Sequence, residues 1–155
     1  MTKSATAKAS AIEVRRATPA ALAQPRSATV TPLYPQQSTT VSSRGVGRAL
    51  RLCGLDLHDT TLMAAADWIV DRAVSRKQTT VGFINAHCVN VLAADEAYGR
   101  AVRRCDRLFI DGSGMRLAAR LGGVDITENV NGTDLFPILC DVAARQGISM
   151  FLLGG

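Results

Sequence analysis

An acid placed directly after a short apolar run, and followed by two glycines around a serine, can move protons. In FIDGSG, residues 109–114, Asp111 follows Phe109 and Ile110 and precedes Gly112 and Gly114. Glycines let a ligand come close to the backbone. If they lead into a helix, its first N–H groups are free to meet a phosphate. A carboxylate beside a phosphate site can take the proton from an attacking hydroxyl. The same spacing suits a plainer role, an Asp that caps the helix or braces the turn, and spacing alone leaves both readings standing.

Three further segments carry chemistry. INAH, residues 84–87, offers Asn85 and His87 at the end of an apolar run. Asn85 can bond a sugar hydroxyl or amide, and it can equally fix a strand-to-helix turn. His87 can act as a base, or it can be a partly buried, hydrogen-bonded imidazole that opens a helix. NVNGTD, residues 129–134, groups Asn129, Asn131, Thr133 and Asp134 around Gly132. Thr133 reads as the N-cap of a helix, and Asp134 in its first turn meets the helix dipole favourably. Capping accounts for both residues but not for the density of donors and acceptors. LLGG, residues 152–155, is the last such segment. Arg100, Arg103, Arg104 and Arg107 can draw a diphosphate or form a solvated helix face. Trp68 and Tyr98 lie in helical patterns and read as packing residues.

Composition excludes several classes. The chain is 47% hydrophobic and 20% charged, as in ordinary globular domains. Its net charge of +5 is unevenly placed. Residues 1–48 hold seven Lys/Arg and one acid, whereas residues 49–155 hold eleven Lys/Arg and twelve acids. The folding part is close to neutral, so nothing points to nucleic acid. Cys53, Cys88, Cys105 and Cys140 form no CxxC pair, and only His58 and His87 are available to help them. Zinc-ligand spacing is therefore absent, and a reducing cytoplasm without disulfides is expected. No run reaches the roughly 18 apolar residues of a membrane span.

These residues need elements to position them. Residues 1–46 carry four of the five prolines and few large apolar residues, and they show no period of 2 or 3.6. Such a segment cannot offset its ordering entropy, so a disordered basic tail is expected. Its acid-poor, Ala/Ser/Thr/Arg-rich character also resembles an organellar transit peptide. From residue 47 the pattern becomes α/β. RALRLCGLDL (48–57) alternates and reads as one or two strands, with Asp59 or Thr60 capping a helix marked by Leu62, Ala66, Ile69, Val70 and Ala73. TTVGFI (79–84) and RLFI (107–110) read as strands, separated by two short helices with Asp95 as a cap between them. GMRLAARLGG reads as a helix stopped by Gly122 or Gly123. The next helix, capped by Thr133, tolerates Pro137 in its first turn and ends at Gly147; ISMFLL (148–153) follows as a buried strand.

This order predicts a Rossmann-like, mostly parallel sheet flanked by helices, with ligands outside the carboxyl ends of the strands. INAH, IDGSG and LLGG then share one edge. A strand that runs into Gly154 and Gly155 resembles the opening of a nucleotide-binding β-α unit. Residues 47–155 are thus expected to be the N-terminal part of a longer α/β domain, the alternative being a strand at the natural end of a small protein.

Taken together, NAHCVN at 85–90, DGSG at 111–114, NGTDLFP at 131–137 and FLLGG at 151–155 resemble the WecG/TagA/CpsF family, glycosyltransferase family 26, most closely its exopolysaccharide-synthesis branch. The resemblance implies inverting transfer of a sugar, N-acetylmannosamine or a related hexose, from a UDP-sugar to a polyprenyl-diphosphate-linked acceptor. It implies no metal and no cofactor beyond the donor. By resemblance Asp111 is the general base. By resemblance too, Asn85 and the segment Asn131, Gly132, Thr133 and Asp134 bind substrate, and Gly154 and Gly155 open the nucleotide-sugar loop; His87 and Gly112 join the substrate-binding candidates from their place at the strand ends. Phe83 stands where many members carry Thr. A lipid-linked acceptor implies peripheral work at the cytoplasmic membrane face, to which the basic tail can add weak attraction. A homo-oligomer is compatible with the resemblance. The alternative is a nucleotide-binding or interaction module without catalysis, or an inactive piece of such an enzyme.

Overall fold

The computed structural model describes the backbone of Glu13–Arg16 and all atoms of residues 47–153. A hairpin opens the main domain. β2 (Arg48–Leu52) and β3 (Leu55–Asp59) pair antiparallel around Cys53 and Gly54, whose φ values are +52° and +73°. Two positive φ values in a two-residue loop make a type I′ turn, whose twist matches that of the strands.

Thr61 caps α1 (Leu62–Val74), its Oγ1 accepting from the Ala64 N–H at 3.2 Å. The cap therefore lies beyond both Asp59 and Thr60, which are buried. β4 (Val81–Ile84) follows, then α2 (Ala86–Ala94) and α3 (Glu96–Val102), with Asp95 capping α3 as expected. β5 (Arg107–Ile110) leads to α4 (Ser113–Leu121). α4 stops where expected: Gly123 takes φ +77°, and the N–H groups of Gly123 and Val124 bond back to the carbonyls of Arg120 and Ala119. α5 (Gly132–Arg145) ends at Gly147, φ +63°. Pro137 is its sixth residue, so it lies in the second turn and not the first. The carbonyl it cannot serve belongs to the exposed Thr133, which water can satisfy.

The sheet has the order β2-β3-β5-β4. β3 with β5 and β4 with β5 pair parallel, and β2 adds an antiparallel edge. The period of 2 sorts side chains between two cores. Val81, Phe83 and Phe109 face α1 and α5. Leu55, Leu57, Ile84, Leu108 and Ile110 face the other way, onto Val102 of α3, Met115 of α4 and half-buried Val89 and Leu92 of α2. The result is an α/β/α sandwich.

Two expectations differ from what is found near the ends. ISMFLL is not a buried strand. β6 (Ile148–Phe151) buries only Ile148 fully, while Phe151, Leu152 and Leu153 are 71%, 64% and 88% exposed. Its alternation sends Ile148 and Met150 to the α1/α5 core and the intervening residues outward. β6 pairs antiparallel with β1 (Glu13–Arg16) and not with the four-stranded sheet. β1 falls within the segment 1–46, read as tail; the remainder of that segment lies outside the described residues.

Candidate active site

Parallel register builds the site. Phe83 pairs with Phe109 and Ile84 with Ile110, so the residues that follow, Asn85 and Asp111, leave the sheet side by side. The Asp111 N–H donates to the Ile84 carbonyl at 2.9 Å. Asn85 caps α2, its Oδ1 accepting from the Cys88 N–H at 3.0 Å. That leaves its amide NH₂ free to act on the Asp111 carboxyl, whose pKa Asn85 lowers. Asn85 thus does both things its type allows: it fixes the turn and acts on a neighbouring polar group.

Asp111 is half-buried, and burial pushes its carboxyl above the ordinary carboxylate range. The Asn85 amide pulls the other way, and the nearby Asp134 carboxylate adds to the rise. Gly112 has φ +90° and ψ 162°, a region open only to glycine. A side chain there would have room, its Cβ lying 4.0 Å from that of Asn85, so backbone conformation sets the requirement. As N-cap of α4, Gly112 supplies no capping side chain, which leaves the first turn of α4 with N–H groups that no cap occupies. The first turns of α4 and α2 meet closely: a Cβ on Gly114 would stand 3.0 Å from that of Ala86.

The 129–134 turn closes the third side. The Val130 N–H donates to the Ile110 carbonyl at 3.0 Å, next to Asp111 in the chain. Asn131, not Thr133, caps α5. Its Oδ1 accepts from the Asp134 N–H at 2.8 Å, and its Nδ2 donates to Asp134 Oδ2 at 2.6 Å. The helix begins at Gly132, one residue before the expected cap, and Thr133 is exposed within its first turn. Gly132 lies against the Phe83 ring, where an added Cβ would make ordinary contact at 3.8 Å. Asp111, Asn85, Gly112, Asn131, Gly132 and Asp134 therefore gather at one edge of the sheet, and three helix starts meet there.

The other candidates differ from their expected settings. His87, on the first turn of α2, is exposed and not a partly buried imidazole. The arginines do not converge on Asp111. Arg100 pairs with Glu96 at 2.8 Å on the outer face of α3. Arg107 stacks its guanidinium 4.1 Å from the Trp68 ring centre, and it opens β5, at the opposite end of that strand from Asp111. Gly154 and Gly155 lie outside the described residues. Among the described residues, no three His, Cys, Asp or Glu side chains gather as a metal site.

Two residues make contacts that their type and place in the sequence did not indicate. Asn129 Oδ1 accepts from the Gly112 N–H at 2.6 Å. Asp59, whose side chain is 2% exposed, accepts from the Thr127 N–H at 2.7 Å, from Thr127 Oγ1 at 3.1 Å and from Arg48 at 3.0 Å. Its signal was in the alternation: Leu55, Leu57 and Asp59 share the buried phase of β3. Beside Asp59, on the same sheet edge, opens a cleft of about 680 Å³ lined by Arg48, Thr60, Thr61, Ala64 and Thr127.

A half-buried acid with a raised pKa, next to uncapped helix N–H groups, suits proton abstraction from a hydroxyl near a phosphate. No curated protein matches the chain. The model of the family described as Glycosyl transferase WecG/TagA/CpsF matches residues 50–155, from within β2 through the last described strand. The chain belongs to the WecG/TagA/CpsF family of glycosyl transferases.

Proposed function

We propose that the chain transfers a sugar, with inversion, from a UDP-sugar of the N-acetylmannosamine type or a related hexose to a polyprenyl-diphosphate-linked acceptor in surface polysaccharide biosynthesis. The observation that supports this most is the placement of Asp111 between Asn85 and the 129–134 turn, with its carboxyl pushed up by burial. In the reaction the acceptor hydroxyl oxygen attacks the anomeric carbon from the face opposite the UDP group. The new C–O bond forms as the bond to the UDP oxygen breaks, and the hydroxyl proton passes to Asp111. A carboxyl with a raised pKa is a stronger base, provided it is ionised at the working pH.

The departing diphosphate gains negative charge. Uncapped N–H groups at the start of α4 offer preorganised donors for it. Asn131, Gly132, Thr133 and Asp134 frame the sugars, and His87 is exposed nearby on α2. Gly154 and Gly155 are assigned to the donor loop. The reading needs no cofactor beyond the donor. Among the described residues no helix is long and apolar enough to cross a membrane. A lipid-linked acceptor would bring the protein to the cytoplasmic membrane face as a peripheral partner.

Asp111→Asn tests the reading. With UDP release as readout, transfer falls by roughly 10²- to 10⁴-fold while UDP affinity is kept. Transfer at the parental rate would assign the base elsewhere. UDP binding by the parent with no transfer to any polyprenyl-diphosphate sugar would favour a binding module.

A further inference from the structure

The base is held at more points than its own side chain provides. The Asp111 N–H is tied to the Ile84 carbonyl, and register sets Asn85 beside it. The remaining freedom lies in the peptide that joins Asp111 to Gly112. Gly112 takes a backbone conformation open only to glycine, which has many neighbouring states to relax into. Its carbonyl accepts from the Arg116 N–H at 3.4 Å, and its N–H, which belongs to the peptide after the base, is held by the 2.6 Å bond to Asn129 Oδ1.

Asn129 is itself on a fixed strap. Thr127 is pinned to the buried Asp59. Glu128 Oε2 accepts from the Leu62 N–H at 2.9 Å, at the start of α1. Val130 is buried, with its N–H on the Ile110 carbonyl, and Asn131 caps α5. With anchors on both sides, the origin of the Asn129 side chain cannot drift. Its amide therefore transmits a fixed geometry from β3, α1 and α5 to the peptide that carries the base.

We propose that Asn129 is a positioning residue for Asp111: by accepting from the Gly112 N–H it sets the peptide after the base, and hence where the carboxyl stands relative to the acceptor hydroxyl. This rests on the reading of Asp111 as base. Misplacing a reacting group by about 1 Å costs on the order of a hundredfold in rate.

The test compares Asn129→Ala, Asn129→Asp and the control Asp111→Asn in the full natural chain, with kcat and donor KM read from UDP release, pH–rate profiles and thermal melts. Asn129→Ala lowers kcat roughly tenfold to a hundredfold and leaves donor KM within about threefold. Asn129→Asp keeps an oxygen facing the Gly112 N–H, so kcat recovers to within about fivefold of the parent where Asp111 is ionised. It also adds a carboxylate near Asp111, beside the one Asp134 already supplies, so the acid limb of the profile moves to higher pH. A structural role alone would not move kcat apart from KM. Parental kcat in Asn129→Ala, no recovery in Asn129→Asp, an unmoved acid limb, or loss of fold in both variants overturns the proposal. Transfer by Asp111→Asn at the parental rate overturns the proposed function instead; an inactive Asp111→Asn beside a fully active Asn129→Ala overturns the positioning role alone.

Discussion

At Asp111 the demands of chemistry and of stability oppose each other, and pH separates them. Its carboxyl is raised by burial and by Asp134, so the folded chain holds this proton more tightly than the unfolded chain does. The contribution is fully favourable below the ordinary carboxylate pKa and is lost as pH rises through the raised, folded value. Near neutral pH the ionised side chain is therefore a net cost. Asp111→Asn removes the charge and keeps the shape. It is expected to melt at or above the parental temperature near neutral pH, with the gain shrinking as pH falls toward the ordinary carboxylate range. Paired melts across that range check this; a variant less stable than the parent near neutral pH would contradict it. The acid limb of the parental pH–rate profile should likewise lie above that range. The place of this residue was legible because an acid after an apolar strand, before glycines, must lie at a strand end. Its partners were less so. Asn85 follows its own strand by one residue, so parallel register alone sets it beside Asp111. The bond from Gly112 to Asn129 spans 17 residues and depends on how the strap is pinned, which no local pattern encodes.

Among the elements, the turns and caps carry the sharpest tests, because each rests on one or two residues. Asn131 satisfies the Asp134 N–H at the start of α5, and Asn131→Ala is expected to cost about 1 kcal/mol in denaturant unfolding. Thr133→Ala, at the residue that sequence alone favoured as cap, should change stability by less than about 0.5 kcal/mol. Asn and Thr are both good caps, and NGT offers both within three residues; the choice fell to Asn131 because Gly132 already enters the helix. Cys53 occupies a positive-φ position of the hairpin turn without being glycine. Cys53→Asn suits a type I′ turn better and is expected to stabilise by roughly 0.5–1 kcal/mol, read as a higher denaturant midpoint at unchanged slope. β4 and β5 were legible from β-branched and apolar runs of strand length. β6 was misread because ISMFLL is apolar apart from Ser149, too little to show the alternation of its solvent-facing side; only Ile148 is fully buried within it.

The whole molecule is organised around a strap that crosses the carboxyl edge of the sheet, and Asp59 is its anchor. This carboxylate ends β3 and joins three parts of the fold: the β2 edge through Arg48, the strap through Thr127, and its own strand. Arg48 is 60% exposed, so its pairing with Asp59 alone is worth little. Thr127 is exposed, but both of its bonds end on the buried Asp59 carboxylate, and hydrogen bonds to a charged group are worth about 1.5–3 kcal/mol. Asp59→Ala is therefore expected to lose about 2–3 kcal/mol of stability and Arg48→Ala less than about 1 kcal/mol. The two should differ in function as well. Arg48→Ala leaves Thr127 bound to Asp59, keeps Asn129 in place and retains transfer. Asp59→Ala frees the strap at the end nearest β3, lets Asn129 withdraw from Gly112, and lowers kcat although Asp59 is remote from the reacting atoms. Melting curves and UDP release on the two variants, compared below the melting range of either, separate scaffold from site. If Asp59→Ala kept full kcat while still folded, the strap would be a stabilising element only, and the geometry of the base would be set within β5 and α4 themselves.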